Sequence, residues 1–327
     1  MTRFCLSAVL AVVGIVSVLV GCQKTVADEQ YSVAKTRLYV SIPITGTKVV
    51  SGANETAVKN YQIFLFNNQN VLEAYVSTSS SEVALDCTMG LKTVVALVNA
   101  PVISDISTLA ALKNKKSQLS DNAADSFVME GMTSVDINTT QNVSVNVPVA
   151  RKVAKIELKQ LTVDFELPQY QTMEFKVSSV YLINVPADNK YFGSEAPSVW
   201  YNKFAYVKTD DNSLIYDDMK NVQVSSSSPY STRNTFYCYP NATDPDSFDA
   251  TWKPRKTRLV VEAVLGGEKY YYPVTMPSLA QNKKYEVNLK ITRPGSYSPD
   301  VIVDKFAGTF TVQVVPWESA APISEEI

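Results

Sequence analysis

The chain has 327 residues and not one histidine. That absence excludes Ser-His-Asp and Cys-His catalysis and zinc sites built on imidazole, and it removes the usual general base near neutral pH. Cysteine is scarce, with four in all. Cys5 lies in an N-terminal apolar run and Cys22 ends it, which leaves Cys87 and Cys238 for the body of the protein. Two cysteines are too few for a disulfide scaffold and lack metal-ligand spacing. Both occupy strand-like surroundings on opposite sides of a restart in the pattern near Arg151. Two buried free thiols are expected, with a Cys87–Cys238 pair as the alternative. There is no Gly-rich phosphate loop and no positive excess, since 30 Lys and Arg stand against 32 Asp and Glu. A nucleic-acid partner would need a basic stripe. The acidic pairs Asp210-Asp211 and Asp217-Asp218 read as solvated loops. A protein with no enzymatic activity is expected: no catalytic residue, no metal and no cofactor.

What is present begins with an export signal. Met1-Thr2-Arg3 is a short positive start, residues 5–20 are almost wholly apolar, and Leu19-Val20-Gly21-Cys22 brings small residues up to a cysteine. This is the layout of a secretory signal peptide. A cysteine at the cut suits lipid attachment, because a thiolate is the nucleophile that chemistry needs. A transmembrane anchor is the alternative, but the run is near the lower limit for spanning and no positive stop-transfer cluster follows. The expected product is an outer-membrane lipoprotein cut between Gly21 and Cys22. Without residues 1–21 the chain keeps 306 residues and a net charge of −3.

A chain of this length with 46% hydrophobic and 19% charged residues can bury a sizeable core, in about two domains. Residues 23–32 are polar and read as a tether. Leu38, Val40, Ile42 and Ile44 then share one face of a period-two pattern. Pro43 on the other face predicts an edge strand. Turn residues fill 45–48 and 51–54. Strands are expected over 61–66, 71–76, 81–87 and 91–98, the last β-branched and central in character. One helix is expected over 104–119, with Ser104 as its N-cap. Val143, Val145, Val147 and Val149 alternate as another strand.

The pattern restarts near Arg151. Strands are expected over 153–158, 161–165, 175–177, 180–185, 235–239, 285–291 and 310–314, with a hairpin through Gly266-Gly267. Residues 191–231 read as loop. Many short strands with little helix argue β-sandwiches, and the restart makes two of them, 49–150 and 151–327.

Several segments resemble the fimbrillin family, the pilus subunits of Bacteroidales. The most specific are Tyr270-Tyr271-Tyr272-Pro273-Val274, the run Asn282-Lys283-Lys284-Tyr285-Glu286-Val287-Asn288-Leu289-Lys290-Ile291-Thr292, Pro294-Gly295, and the strand from Val312 to Trp317. Arg151-Lys152-Val153-Ala154-Lys155-Ile156 and Asp86-Cys87-Thr88-Met89-Gly90 add to them. The resemblance spans essentially the whole chain. It implies a mainly β fold of two transthyretin-like or Ig-like β-sandwich domains in tandem, and assembly into a cell-surface fimbria. In the family a protease removes the first strand after export, and a C-terminal strand of the next subunit fills the groove. That is β-augmentation between chains, and such head-to-tail contacts propagate a filament.

Carried onto this chain, residues 22–48 become a tether and removable strand bearing Leu38, Val40, Ile42 and Ile44. Lys48, close to the position of the family's arginine, becomes the maturation site. Arg37 is the alternative, and a poorer one, because a cut there leaves the strand attached. Residues 307–327 become the candidate donor, with Phe310, Val312 and Val314 on one face and Trp317 beyond. Burial of four such side chains supplies about 6–12 kcal/mol before ordering costs. The implied partners are other pilin subunits, the outer membrane through the lipid at Cys22, and host or bacterial surface ligands. The alternatives are a first strand that stays in place and a last strand that folds onto its own domain. The competing function is a lipid-anchored surface protein that does not polymerise and binds glycans or peptides, using its 18 tyrosines and the loops from Tyr191 to Ser231 as stacking platforms.

Cys22→Ala is expected to abolish labelling by a radiolabelled fatty acid and to trap a larger precursor. Unchanged labelling and size would refute the lipid site.

Overall fold

Period-two patterning becomes strands, which make up nearly all the regular structure. The structure is a computed structural model and describes residues 35–44, 55–193, 195–203, 214–244, 251–301 and 308–317. The first half contains β1 (Lys35–Ser41), β2 (Tyr61–Phe66), β3 (Leu72–Thr78), β4 (Glu82–Thr88), β5 (Gly90–Val98), α1 (Leu109–Lys113), β6 (Lys116–Gln118), β7 (Met129–Ile137), β8 (Val143–Asn146) and β9 (Ala150–Arg151). A three-stranded sheet ordered β4-β1-β8 faces a five-stranded sheet ordered β3-β2-β5-β7-β9. Leu38, Val40, Leu85 and Val145 from one layer meet Ile63, Val94, Ala96 and Met129 from the other. β5 is central, as its β-branched run predicts. Its outward Val95 and Leu97 are covered by Leu109 and Leu112 of α1.

The helix is much shorter than predicted. Its N-cap is Thr108, whose hydroxyl accepts the Ala111 amide at 3.1 Å, rather than Ser104. Thr108 is bridged to Val71, Asp105 has a φ of 61°, and β6 starts at Lys116. Tertiary pairing therefore stops the helix at both ends, overriding an apolar spacing that favours it.

The second half contains β10 (Ala154–Val163), α2 (Pro168–Gln171), β11 (Phe175–Ile183), β12 (Val185–Pro186), β13 (Asp188–Lys190), β14 (Trp200–Tyr201), β15 (Tyr216–Gln223), β16 (Asn234–Cys238), β17 (Arg258–Leu265), β18 (Glu268–Thr275), β19 (Lys283–Ile291) and β20 (Gly308–Pro316). Sheets ordered β16-β10-β19-β20 and β15-β11-β17-β18 enclose the second core. Register shifts at Leu158/Gln160 and Val177/Ser179 join segments that the pattern separates, so β10 and β11 are each one bulged strand. β15 lies where only loop is predicted. Its side chains are half-buried or exposed without clean alternation, so period two is invisible there. The β17–β18 hairpin turns through Gly266 and Gly267, at φ 61° and 97°, as the Gly-Gly pair predicts. Cys87 and Cys238 are both free and buried, one in each core.

The two sandwiches are locked together, and the described residues fall in one compact unit. Leu119 and Phe127, from the first half, belong to the second core. β6 pairs with β13 across the junction. Asn122 Nδ2 donates to the Tyr239 hydroxyl at 3.1 Å. Lys152 Nζ, wholly buried, sits 2.9 Å from Glu130 Oε2, donates to the Lys190 carbonyl, and lies 5.3 Å from the centre of the Tyr191 ring. Glu130→Ala is expected to cost about 3–5 kcal/mol, because it strands that ammonium without its counter-charge. Urea unfolding measures this, and a loss below about 1 kcal/mol would contradict the importance of the pair.

Candidate assembly site

The first strand is central rather than at an edge. β1 pairs antiparallel with β4 from Lys35↔Thr88 to Ser41↔Glu82, and parallel with β8 from Leu38↔Val143 to Ser41↔Asn146. Pro43 misleads because it lies past the end of the ladder. There only its carbonyl is used, accepting the Val149 amide at 3.0 Å. Leu38, Val40 and Ile42 are 0%, 2% and 3% exposed. Ile44, bridged to Val149, is half-buried against the same core. Loss of β1 would open the core and leave unpaired edges on both β4 and β8. Arg37 points outward, 3.8 Å from Asp86, but its backbone lies inside the ladder. Gly21, Cys22 and Lys48 lie outside the described residues.

The last strand is placed very differently. β20 pairs with β19 from Lys283↔Pro316 to Ile291↔Gly308 and lies at the edge of its sheet. Phe310, Val312 and Val314 stand opposite Leu289, Val287 and Tyr285, so they share one face as predicted. That face is poorly covered, with Phe310 46% and Val314 51% exposed. The strand thus folds onto its own sandwich with half its apolar surface in water. Trp317, just beyond it, is buried. Its ring stacks on Tyr237, meets the edge of Phe127 and lies 4.7 Å from the Arg151 guanidinium carbon.

One residue of this site has no signature in the sequence. Glu55 Oε1 accepts from Lys155 Nζ at 2.8 Å and from the Tyr237 hydroxyl at 2.6 Å, and Oε2 accepts from Trp317 Nε1 at 2.9 Å. Its carbonyl accepts from Arg151 Nε at 3.1 Å. Burial pushes the carboxyl pKa up, but the bonds from Lys155, Tyr237 and Trp317 outweigh that and hold it below its ordinary value. These partners lie 96 to 262 residues away, so no local pattern reports them.

The outer face of the β10–β19–β20 sheet carries interleaved charge. Lys159 and Lys284 flank Glu286 at 2.8 and 2.7 Å, and Lys155 lies 3.0 Å from Glu157. Among the described residues there is no group of three His, Cys, Asp or Glu side chains that could hold a metal.

No protein-family model matches the chain, and no curated protein does. Solved structures do. A putative cell adhesion protein of Bacteroides eggerthii is 18% identical, covers 86% of this chain and 96% of its own, and superposes with a TM-score of 0.65. A second, from Parabacteroides distasonis, is 15% identical over 88% of this chain and 98% of its own, with a TM-score of 0.66. A fimbrilin, FimA, of Porphyromonas gingivalis is 17% identical over 88% and 99%, with a TM-score of 0.61. The chain has the fold of these proteins.

The Glu286 carboxyl pKa is drawn down from 4.5 to about 2 by Lys159 and Lys284. Its stabilising effect is complete above its ordinary value and is lost as pH falls through about 2. Urea midpoints of the wild type and Glu286→Gln are therefore expected to be furthest apart near neutrality and to converge in acid. A gap independent of pH would contradict the assignment.

Proposed function

We propose that the chain is a fimbrillin-family lipoprotein precursor: a structural and adhesive subunit of a cell-surface fimbria, assembled by protease-triggered strand exchange. The observation that carries this reading is the contrast between its first and last strands. β1 is hydrogen-bonded on both edges and its inward apolar side chains are 0–3% exposed. β20 is bonded on one edge, with Phe310 and Val314 about half exposed. A strand moved from β20's position into a slot like that of β1 gains a second row of backbone bonds and covers its apolar face. Exchange between subunits is then downhill once the slot is empty. β1 does not vacate the slot unaided, because burial of Leu38, Val40 and Ile42 contributes about 5–9 kcal/mol. A covalent cut makes its loss possible, and Lys48 is the proposed place.

In this reading residues 22–48 are tether and removable strand, and 49–150 and 151–327 are the two domains. Residues 307–327 donate to the next subunit, and the lipid at Cys22 holds the precursor at the outer membrane. The partner is another pilin, the same or homologous, and head-to-tail joining leaves the filament open. Likeness of fold to a fimbrilin supports this. The competing reading, glycan or peptide binding through tyrosine, is supported by Tyr297, which is 76% exposed against Tyr270. Tyr181, Tyr191, Tyr237, Tyr239, Tyr272 and Tyr285 are instead buried, where tyrosine packs rather than binds.

Trypsin-like cleavage is expected to convert the monomer into multimers that run as a ladder on a denaturing gel without boiling. Lys48→Ala is expected to prevent this by keeping β1, and deletion from Phe310 onward by removing the donor. Mass spectrometry of the multimers decides it, because subunits that still carry residues 38–44 would sink the exchange model.

A further inference from the structure

We propose that Glu55 is a latch on the C-terminal strand: by gripping Trp317, its carboxylate holds β20 in its own sheet and limits how readily that strand detaches. The consequence for assembly rests on the strand-exchange reading, but the latch itself is a property of the monomer.

β20 has few other restraints. It is bonded along one edge, and among residues 309–317 only Trp317 is buried. An edge strand with exposed side chains opens locally at low cost unless an anchor prevents it. The anchor is built from both halves of the chain. Lys155 and the Tyr237 hydroxyl fix one carboxylate oxygen of Glu55, so the other is already aimed at the indole N–H. Arg151 donates to the Glu55 carbonyl and also lies against the Trp317 ring, which fixes the backbone and caps the indole together. A charge-assisted bond to a pre-oriented acceptor is among the stronger single contacts a side chain makes. Removing the carboxylate would take away the acceptor of the indole N–H and one of the two carboxylates that Lys155 meets, the other being Glu157.

Glu55 also lies in sequence between β1 and β2. The contact that restrains the last strand is therefore attached to the segment that follows the first.

Hydrogen exchange on the full, uncleaved chain tests this directly. Glu55→Ala is expected to speed exchange of the β20 amides, and of their β19 partners, by about tenfold while β10, β11 and β17 stay as protected as in the wild type. Trp317→Phe, which keeps a ring but loses the N–H donor, is expected to give a smaller change of the same kind. Unchanged β20 exchange in both variants would overturn the latch. So would loosening spread equally through β10, β11 and β17, which would make Glu55 a general structural residue. Faster multimer formation by Glu55→Ala after cleavage would support it further. A loosened β20 with no multimers from any variant would leave the latch standing and count against strand exchange instead.

Discussion

Leu38, Val40 and Ile42 fill the middle of the first core from a strand bonded on both edges, and the rest of the first sandwich is arranged around that strand. In their sheet it lies between β4 and β8. The five-stranded layer opposite has β5 buried at its centre. The first described strand is thus spatially central, tied in by side-chain burial and two ladders. Such a position exacts a large cost when emptied.

The second sandwich provides the opposite case at β20, an edge strand with half-exposed apolar side chains. The junction combines apolar packing of Leu119 and Phe127 with polar pairing: the β6–β13 strands, the buried Lys152–Glu130 pair, and Tyr239 held by the first half's Asn122. Such contacts tie the two sandwiches together. Removing one partner of the Lys152–Glu130 pair while the other stays buried is what costs most there, since that leaves a charge out of water with no counter-charge.

Much of this was legible from residue patterns. The alternation at 38–44 and at 285–291, the β-branched run of 91–98 and the Gly266-Gly267 turn each placed a strand or hairpin correctly. The failures have definite causes. Pro43 suggested an edge because a missing N–H matters only inside a ladder, and it falls just outside one. The helix over 104–119 shrank because Thr108 is bridged to Val71 and Lys116 is claimed by β13. β15 escaped because neither of its faces is fully buried. Of the site, the apolar faces of β1 and β20 were readable as strand faces. Glu55 was not, since a carboxylate shared by Lys155, Tyr237 and Trp317 exists only after the two sandwiches have come together.

The central claim is that β1 occupies a slot that another chain's last strand can take. Cryo-electron microscopy of the assembled multimer answers it most directly, by identifying the segment that lies between β4 and β8. The expected density is a strand from a neighbouring subunit carrying residues 310–314, with residues 38–44 gone. Density for Leu38, Val40 and Ile42 of the same chain, still seated between those two strands, would contradict the claim.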